Sequence, residues 1–276
     1  MGSISCANPS VEQGDLSVQL PADTHIEHII PLFTAARFAS VANWGRHWLP
    51  MPYIDPYISF PLGAPTQTPG IRTAFWEDVW NNPEGLPRNL PLVTPDSADL
   101  RRPVDRVFEA LGSNTNPSHF VLIQSAINNV KGQFEAFAFP MQDNEFNGYV
   151  RQALAGNNTA IRCFLAPLRE TIAMFQYLRD PDIDSRRNTI ATSVTEQLQL
   201  IEQHTEGSEG LTAHWHEFYP FYFSQVSEFA RNWVNDRVRY IQRTFAGSES
   251  YERDFVLKEA QEIEKQIPDL KYPWED

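Results

Sequence analysis

His214-Trp215-His216-Glu217 is the densest group of chemistry-bearing side chains in the sequence. On a helix, His214 and Glu217 lie three residues apart and share a face. That spacing lets a bundle present an imidazole and a carboxylate to a metal or to a proton in transfer. Glu202, His204 and Glu206 precede the group across a glycine turn. His216 points to another face, and neither an HExxH run nor a second Glu-x-x-His completes a ligand set, so no metal and no cofactor is expected. Read structurally, the same pair caps the first turn of an aromatic helix, where the dipole favours a carboxylate.

Glu77-Asp78, set between Trp76 and Trp80, is the second candidate pair, and Asn235-Asp236 the third. Acidic pairs on aromatic helices resemble the two acidic motifs of class I terpene cyclases. Those are all-helical enzymes that stabilise carbocations on ring faces and bind diphosphate through magnesium. The spacing departs from that pattern. The turn after Glu77 and Asp78 supplies Asn81 and Asn82, and the turns after Asn235-Asp236 supply Arg239 and Arg243. Asp180-Pro181-Asp182-Ile183-Asp184 spaces carboxylates by two, as calcium loops do, but lacks the glycine and the distal Glu. With Ser185-Arg186-Arg187 following, it reads as a turn between helices with local ion pairs. Cys163 lies in an apolar stripe beside Phe164, the setting of an inert buried thiol. No Gly-x-Ser-x-Gly elbow or glycine-rich phosphate loop occurs. Asn157-Asn158-Thr159 is a glycosylation sequon expected to go unused without a secretory leader. Arg231, Arg237, Arg239 and Arg243 form either an anion-binding strip or a set of partners for the acidic final helix; pairing is the expectation.

These groups sit in a chain of 276 residues with a formal charge of −13, 42% hydrophobic and 12% aromatic. An acidic chain without a basic face repels a phosphate backbone, which excludes nucleic acid as a partner. No apolar run approaches the ~20 residues that span a bilayer. The first fifteen residues have neither a basic start nor an apolar stretch, so no leader is expected and the location read from the sequence is cytoplasmic. Met1-Gly2-Ser3-Ile4-Ser5-Cys6 has Cys6 where a myristoylation signal carries Ser or Thr. Two cysteines, Cys6 and Cys163, cannot build a disulfide framework.

Proline divides the molecule: 14 of its 21 prolines fall at or before Pro103, which forbids continuous helix there. Residues 1–22 read as a flexible lead. A helix is predicted from Asp23 or Thr24 through Trp44, with Pro31 as a kink or as its first turn. Residues 49–70 form an aromatic loop with six prolines, with Tyr53, Tyr57 and Phe60 as anchors or rim. A short helix follows over about 71–82. Beyond 95 the 3.6-residue period predicts helices over 96–111, 117–139, 144–155 and about 161–178, where Ile161, Phe164, Leu165, Leu168, Ile172, Phe175 and Leu178 make one stripe. Another holds Ile190, Val194, Leu198 and Ile201. A long helix to about 245 has Trp215, Phe218, Tyr222, Phe229, Trp233 and Tyr240 inward and a bend at Pro220; a charged helix over 250–267 ends the series. The fold class is therefore all-α. It is expected as one helical domain over 23–276, of about seven to nine helices, with 23–95 a Pro-rich irregular part wrapped around the core of 96–276.

Short words along the chain resemble a known family. They are Thr24-His25-Ile26-Glu27-His28-Ile29, Phe120-Val121-Leu122-Ile123 with Asn128-Asn129-Val130-Lys131, Phe164-Leu165-Ala166-Pro167-Leu168-Arg169 and Phe175-Gln176-Tyr177-Leu178. The segment from His214 to Phe218 and the tail Ile267-Pro268-Asp269-Leu270-Lys271-Tyr272-Pro273 complete the set. Together they resemble the helical region downstream of the catalytic domain in fungal killer-toxin-like class V chitinases, over about 20–274. The resemblance implies a fungal origin and a free-standing relative of an accessory region. It does not carry hydrolysis: the Asp-x-x-Asp-x-Asp-x-Glu run that such chitinases use on a barrel strand is missing here.

The sequence therefore predicts a binding module without glycoside hydrolase activity, acting on an apolar small molecule or a protein partner. Its surplus rings, Trp76, Trp215, Tyr222 and Trp233 among them, would line a groove or cavity. The alternative is a helical-bundle enzyme of fungal secondary metabolism, a cyclase or isomerase with Glu77, Asp78, His214 and Glu217 as its polar groups. That reading requires the four side chains to converge in one closed pocket.

Overall fold

A computed structural model describes residues 23–48 and 63–275. Helix dominates, as the period predicts, and the fold is an all-α bundle with one small sheet. Among the described residues there are eight α-helices, a π-helical turn over Phe75–Trp80 and three 3-10 turns. Residues 1–22 and the rings of Tyr53, Tyr57 and Phe60 lie outside the described set. No helix among the described residues is long and apolar enough to cross a membrane.

Three predicted helices start or break elsewhere, each for a local reason. The one expected from Asp23 or Thr24 is strand β1 (Thr24–His28), and α1 begins only at Phe33 (Phe33–Trp44). Pro31 disfavours helix at Ile30, and β-branched Thr24, Ile26, Ile29 and Ile30 suit extended backbone. Pro31 instead offers its carbonyl to Thr34 N–H at 3.0 Å, the first turn of α1. The helix expected from 96 is α2 (Pro103–Leu111), with proline in its first turn, where the missing N–H costs nothing. The one expected over 117–139 is a 3-10 turn, then β2 (Phe120–Gln124), then α3 (Ser125–Glu135). Phe120-Val121-Leu122-Ile123 is a run of strand formers, and it pairs with β1 as a two-stranded sheet.

The remaining helices follow the predicted stripes: α4 (Asp143–Leu154), α5 (Asn158–Leu178), α6 (Pro181–His204), α7 (Leu211–Ala246) and α8 (Arg253–Gln266). The Asn157 side chain caps α5, accepting from the Thr159 and Ala160 amides at 3.1 and 3.4 Å. Its sequon thus serves as a helix start. Every member of the α5 stripe, Ile161 to Leu178, is buried.

The described chain forms two compact units, each assembled from separate stretches. Unit 1 takes residues 23–25, 123–180 and 224–275; unit 2 takes 26–122 and 181–223. In unit 1, α5 packs against α3, α4 and α8. In unit 2, α2 packs on α6, and Phe38 of α1 meets Trp215 edge-to-face at 5.3 Å and Phe218 at 5.8 Å. Helix α7 is continuous through the change from one unit to the other, and Pro220 lies three residues before it.

Candidate functional site

In unit 2, His214 and Glu217 stand one turn apart near the start of α7, as their spacing requires. Each is committed to the loop 63–70. The Glu217 carboxylate accepts from the Gln67 amide at 2.8 and 3.0 Å and from the Thr68 amide at 3.3 Å. His47 Nε2 lies 3.1 Å from Glu217 Oε1. A carboxylate only accepts, so the network places a hydrogen on His47 Nε2. His214 Nε2 donates to the Pro69 carbonyl at 2.9 Å. Among the described residues, both Nδ1 atoms are buried without a hydrogen-bond partner.

The loop closes on itself around this staple. Gly63 N–H donates to His47 O at 2.8 Å and His47 N–H to Ala64 O at 3.0 Å. A Cβ at Gly63 would fall 2.4 Å from His47 O, so only glycine permits this approach. The Thr66 amide bonds Gly45 O at 2.9 Å, and the Ile71 amide bonds Ala42 O at 2.7 Å. His47 also stacks on Phe221, ring centroids 3.9 Å apart. The chemical yield is a carboxylate-oriented imidazole, His47, sealed at 6% exposure beneath its own loop.

Glu77 and Asp78 lie apart from this staple. Both are solvent-exposed on the π-helical turn, and neither makes a hydrogen bond to His214 or Glu217, whereas His214 is fully buried. Asn82 reaches back to the Asp78 carbonyl at 3.3 Å, closing the turn. The structure thus joins two of the four candidate polar groups and leaves the acidic pair in water.

The candidate rings pack against other rings. Trp215 and Tyr222 are 3% and 2% exposed; Tyr222 stacks on Phe218 at 5.2 Å, and Trp215 lies 5.2 Å from Tyr219. Trp76, half-buried, contacts Phe75 at 5.0 Å and Trp80 at 5.1 Å, both edge-on. In unit 1, Trp233 is 2% exposed, meets Phe134 edge-on at 5.8 Å and carries the Arg237 guanidinium 5.3 Å above its ring. Trp215, Tyr222 and Trp233 are thus core rings, and Trp76 is partly open to solvent.

The other candidates resolve into local contacts. Asp182 and Asp184 open α6, pairing with Arg186 at 3.6 Å and with Arg187. Among the described residues, no three His, Cys, Asp or Glu side chains stand close enough to hold a metal ion. Of the α7 arginines, Arg231 reaches Leu270 O at 3.2 Å and Glu275 at 3.7 Å, and Arg237 pairs with Asp143 of α4. These partners lie outside α8; Gln242 makes the link to α8, donating to Glu264 at 2.7 Å.

His47, with the amides of Gln67 and Thr68, completes the staple that sequence reasoning reached only through His214 and Glu217. The pair His47–Glu217 spans 170 positions, and no local pattern in the sequence announces it. No family model matches this chain, and no curated protein or solved structure matches it either.

Two predictions follow from the staple. Glu217→Ala strips the acceptor from two amides and from His47. With the carboxylate 18% exposed, water replaces part of that loss, and about 2 kcal/mol of stability should go; Glu217→Gln, which keeps one oxygen, should lose about half as much. The midpoint of urea unfolding reads both.

The second concerns pH. Burial holds His214 below its ordinary value, opposed by the bond to Pro69 and the Glu217 charge. His119, also in unit 2, is likewise held down by burial, with Nδ1 donating to Ala110 O at 2.9 Å. Unfolded imidazoles take up protons as pH falls through about 6.5, whereas these two stay neutral until lower pH. The unfolded state then binds more protons, so stability is full above that range and falls as pH drops through it. The urea midpoint should decline from pH 7.5 to 5.5, and His214→Gln should flatten part of the decline. A profile unchanged by the substitution contradicts the assignment.

Proposed function

We propose that the chain is a helical accessory or binding module without glycoside hydrolase activity, and that it engages a protein partner. One observation carries this reading. His214 and Glu217 are consumed in holding loop 63–70, while Glu77 and Asp78 stand in solvent, so the polar groups an enzyme would gather are dispersed. Trp215, Tyr222 and Trp233 are packed into cores, which favours a protein over an apolar small molecule as the partner. Rings that do reach the surface include Phe33 and Phe221 in unit 2 and Tyr251 and Phe255 in unit 1. Exposed aromatic side chains are the usual anchors of protein interfaces. The resemblance to an accessory region of class V chitinases agrees with a non-hydrolytic role.

The test combines three measurements on the full chain. Chitin oligosaccharides should yield no new reducing ends, and native mass spectrometry should find no co-purifying apolar metabolite. Crosslinking in cells should bridge one protein species repeatedly to the exposed rings of one unit or the other. Phe33→Ser with Phe221→Ser, or Tyr251→Ser with Phe255→Ser, should cut that bridge at least about tenfold, the loss expected for anchor rings. A stoichiometric apolar metabolite, or turnover that Glu77→Gln abolishes, sinks the reading and restores the cyclase or isomerase alternative.

A further inference from the structure

Residues 267–275 of unit 1 are held the way a site holds a peptide. Their backbone bonds are local turns, Leu270 N–H to Ile267 O at 3.1 Å and Glu275 N–H to Tyr272 O at 3.0 Å. Side chains from elsewhere in the unit reach out to their carbonyls: Arg231 to Leu270 O at 3.2 Å and Arg179 to Asp269 O at 3.3 Å. Leu270 and Tyr272 are each 1% exposed.

Three side-chain features select what lies there. The Tyr272 ring meets Phe175 edge-on at 6.1 Å, and its hydroxyl donates to Glu135 Oε1 at 3.3 Å. Glu135 pairs with Lys131, 3.1 Å away on the same helix face, with both side chains essentially buried. An ion pair built within α3 thus presents a carboxylate oxygen to a phenol, and a charged acceptor is a strong one. Three positions further on, the Glu275 carboxylate receives Ser227 Oγ and lies 3.7 Å from Arg231. Pro268 and Pro273 stiffen the bound segment and reduce the entropy lost on ordering it.

We infer that the face made by α3, the end of α5 and residues 227–231 of α7 is a peptide-recognition site. Its own chain occupies it here, and a partner offering Leu, then Tyr two positions on, then a carboxylate three after that, occupies it in exchange. This goes beyond the function proposed above and rests on unit 1 alone, so its failure would leave that reading standing. The tethered segment competes at an effective concentration near the millimolar range, so an outside peptide binds well only when the resident segment is loosened.

The experiment uses the full chain carrying Tyr272→Ala and Glu275→Ala, which loosens the resident and leaves the lining intact. The probe is a fluorescent peptide of sequence QIPDLKYPWE, followed by polarisation. The double variant should bind it at least about tenfold tighter than the unaltered chain does. A probe with Phe for Tyr should bind several-fold more weakly, because Glu135 would lose its donor. A folded double variant that ignores the probe, or one that binds Tyr and Phe probes equally, overturns the proposal. Where the double variant does not fold, hydrogen exchange on the unaltered chain decides. The amides of 270–275 should open well before those of α5; exchange in step with α5 makes the segment part of the core and refutes the site.

Discussion

Lys131→Met should lower stability by about 3–5 kcal/mol, because it removes the cation from a carboxylate that stays buried. Glu135 is 1% exposed and Lys131 is fully buried, 3.1 Å apart at positions i and i+4 of α3. Two buried charges offset one another's desolvation; one alone cannot. The diagnostic result is the double substitution. Lys131→Met with Glu135→Leu removes both charges at similar volume and should recover most of the loss, leaving a deficit of about 1 kcal/mol for the Tyr272 hydroxyl that then lacks its acceptor. Chemical denaturation of the wild type, both single variants and the double closes the cycle. A double variant as unstable as Lys131→Met would show that packing around the lysine stem, and not charge, sets the cost.

Arg106→Met is the second large effect, expected at about 3 kcal/mol or more. The Arg106 side chain is fully buried in unit 2 and satisfies three acceptors: Gln197 Oε1 at 2.9 Å, Leu100 O at 3.2 Å and Pro91 O at 2.5 Å. Burial pulls its pKa down and the Asp99 charge opposes that. Two of the three acceptors belong to the proline-punctuated stretch between 87 and 103, which has no helix or strand of its own. The arginine is therefore the internal post to which that stretch is tied. Limited proteolysis should show cleavage between 88 and 101 appearing early in Arg106→Met, at protease levels that leave the wild type whole. Equal cleavage in both would mean the stretch holds by its other contacts, such as Arg101 Nε to Leu86 O at 3.0 Å.

Local periodicity made α5 readable almost residue by residue, because every third or fourth position is apolar and all of those positions are buried. The same logic failed at Phe120-Val121-Leu122-Ile123. A short apolar run fits a helix or a strand equally well until its partner is known, and that partner, β1, lies about a hundred residues away. Pro31 fits a kink or a first turn by sequence alone, and the structure makes it the first turn of α1, with extended backbone before it. At the site, the face shared by His214 and Glu217 was legible from spacing. What that face does was not, since His47, Gln67, Thr68 and Pro69 reach it from 145 to 170 positions away in the sequence. Lys131 and Glu135 carry the i, i+4 spacing of an ordinary surface pair, and only burial distinguishes them. Aromatic abundance alone does not tell a core ring from a ligand-facing one: Trp215, Tyr222 and Trp233 are buried, whereas Trp76 is half-buried.

The interleaving of the two units also bears on how the chain comes off the ribosome. Unit 2 closes only with residues 181–223, so its earlier portion waits while all of 123–180 is made. Those intervening residues in turn wait for 224–275. For most of its synthesis the nascent polypeptide therefore displays half-built interiors, and no single cut separates one self-sufficient body from the other. Mutations in α7, the last stretch to serve both, should register first as poor yield or chaperone dependence, before any change in the stability of the purified protein.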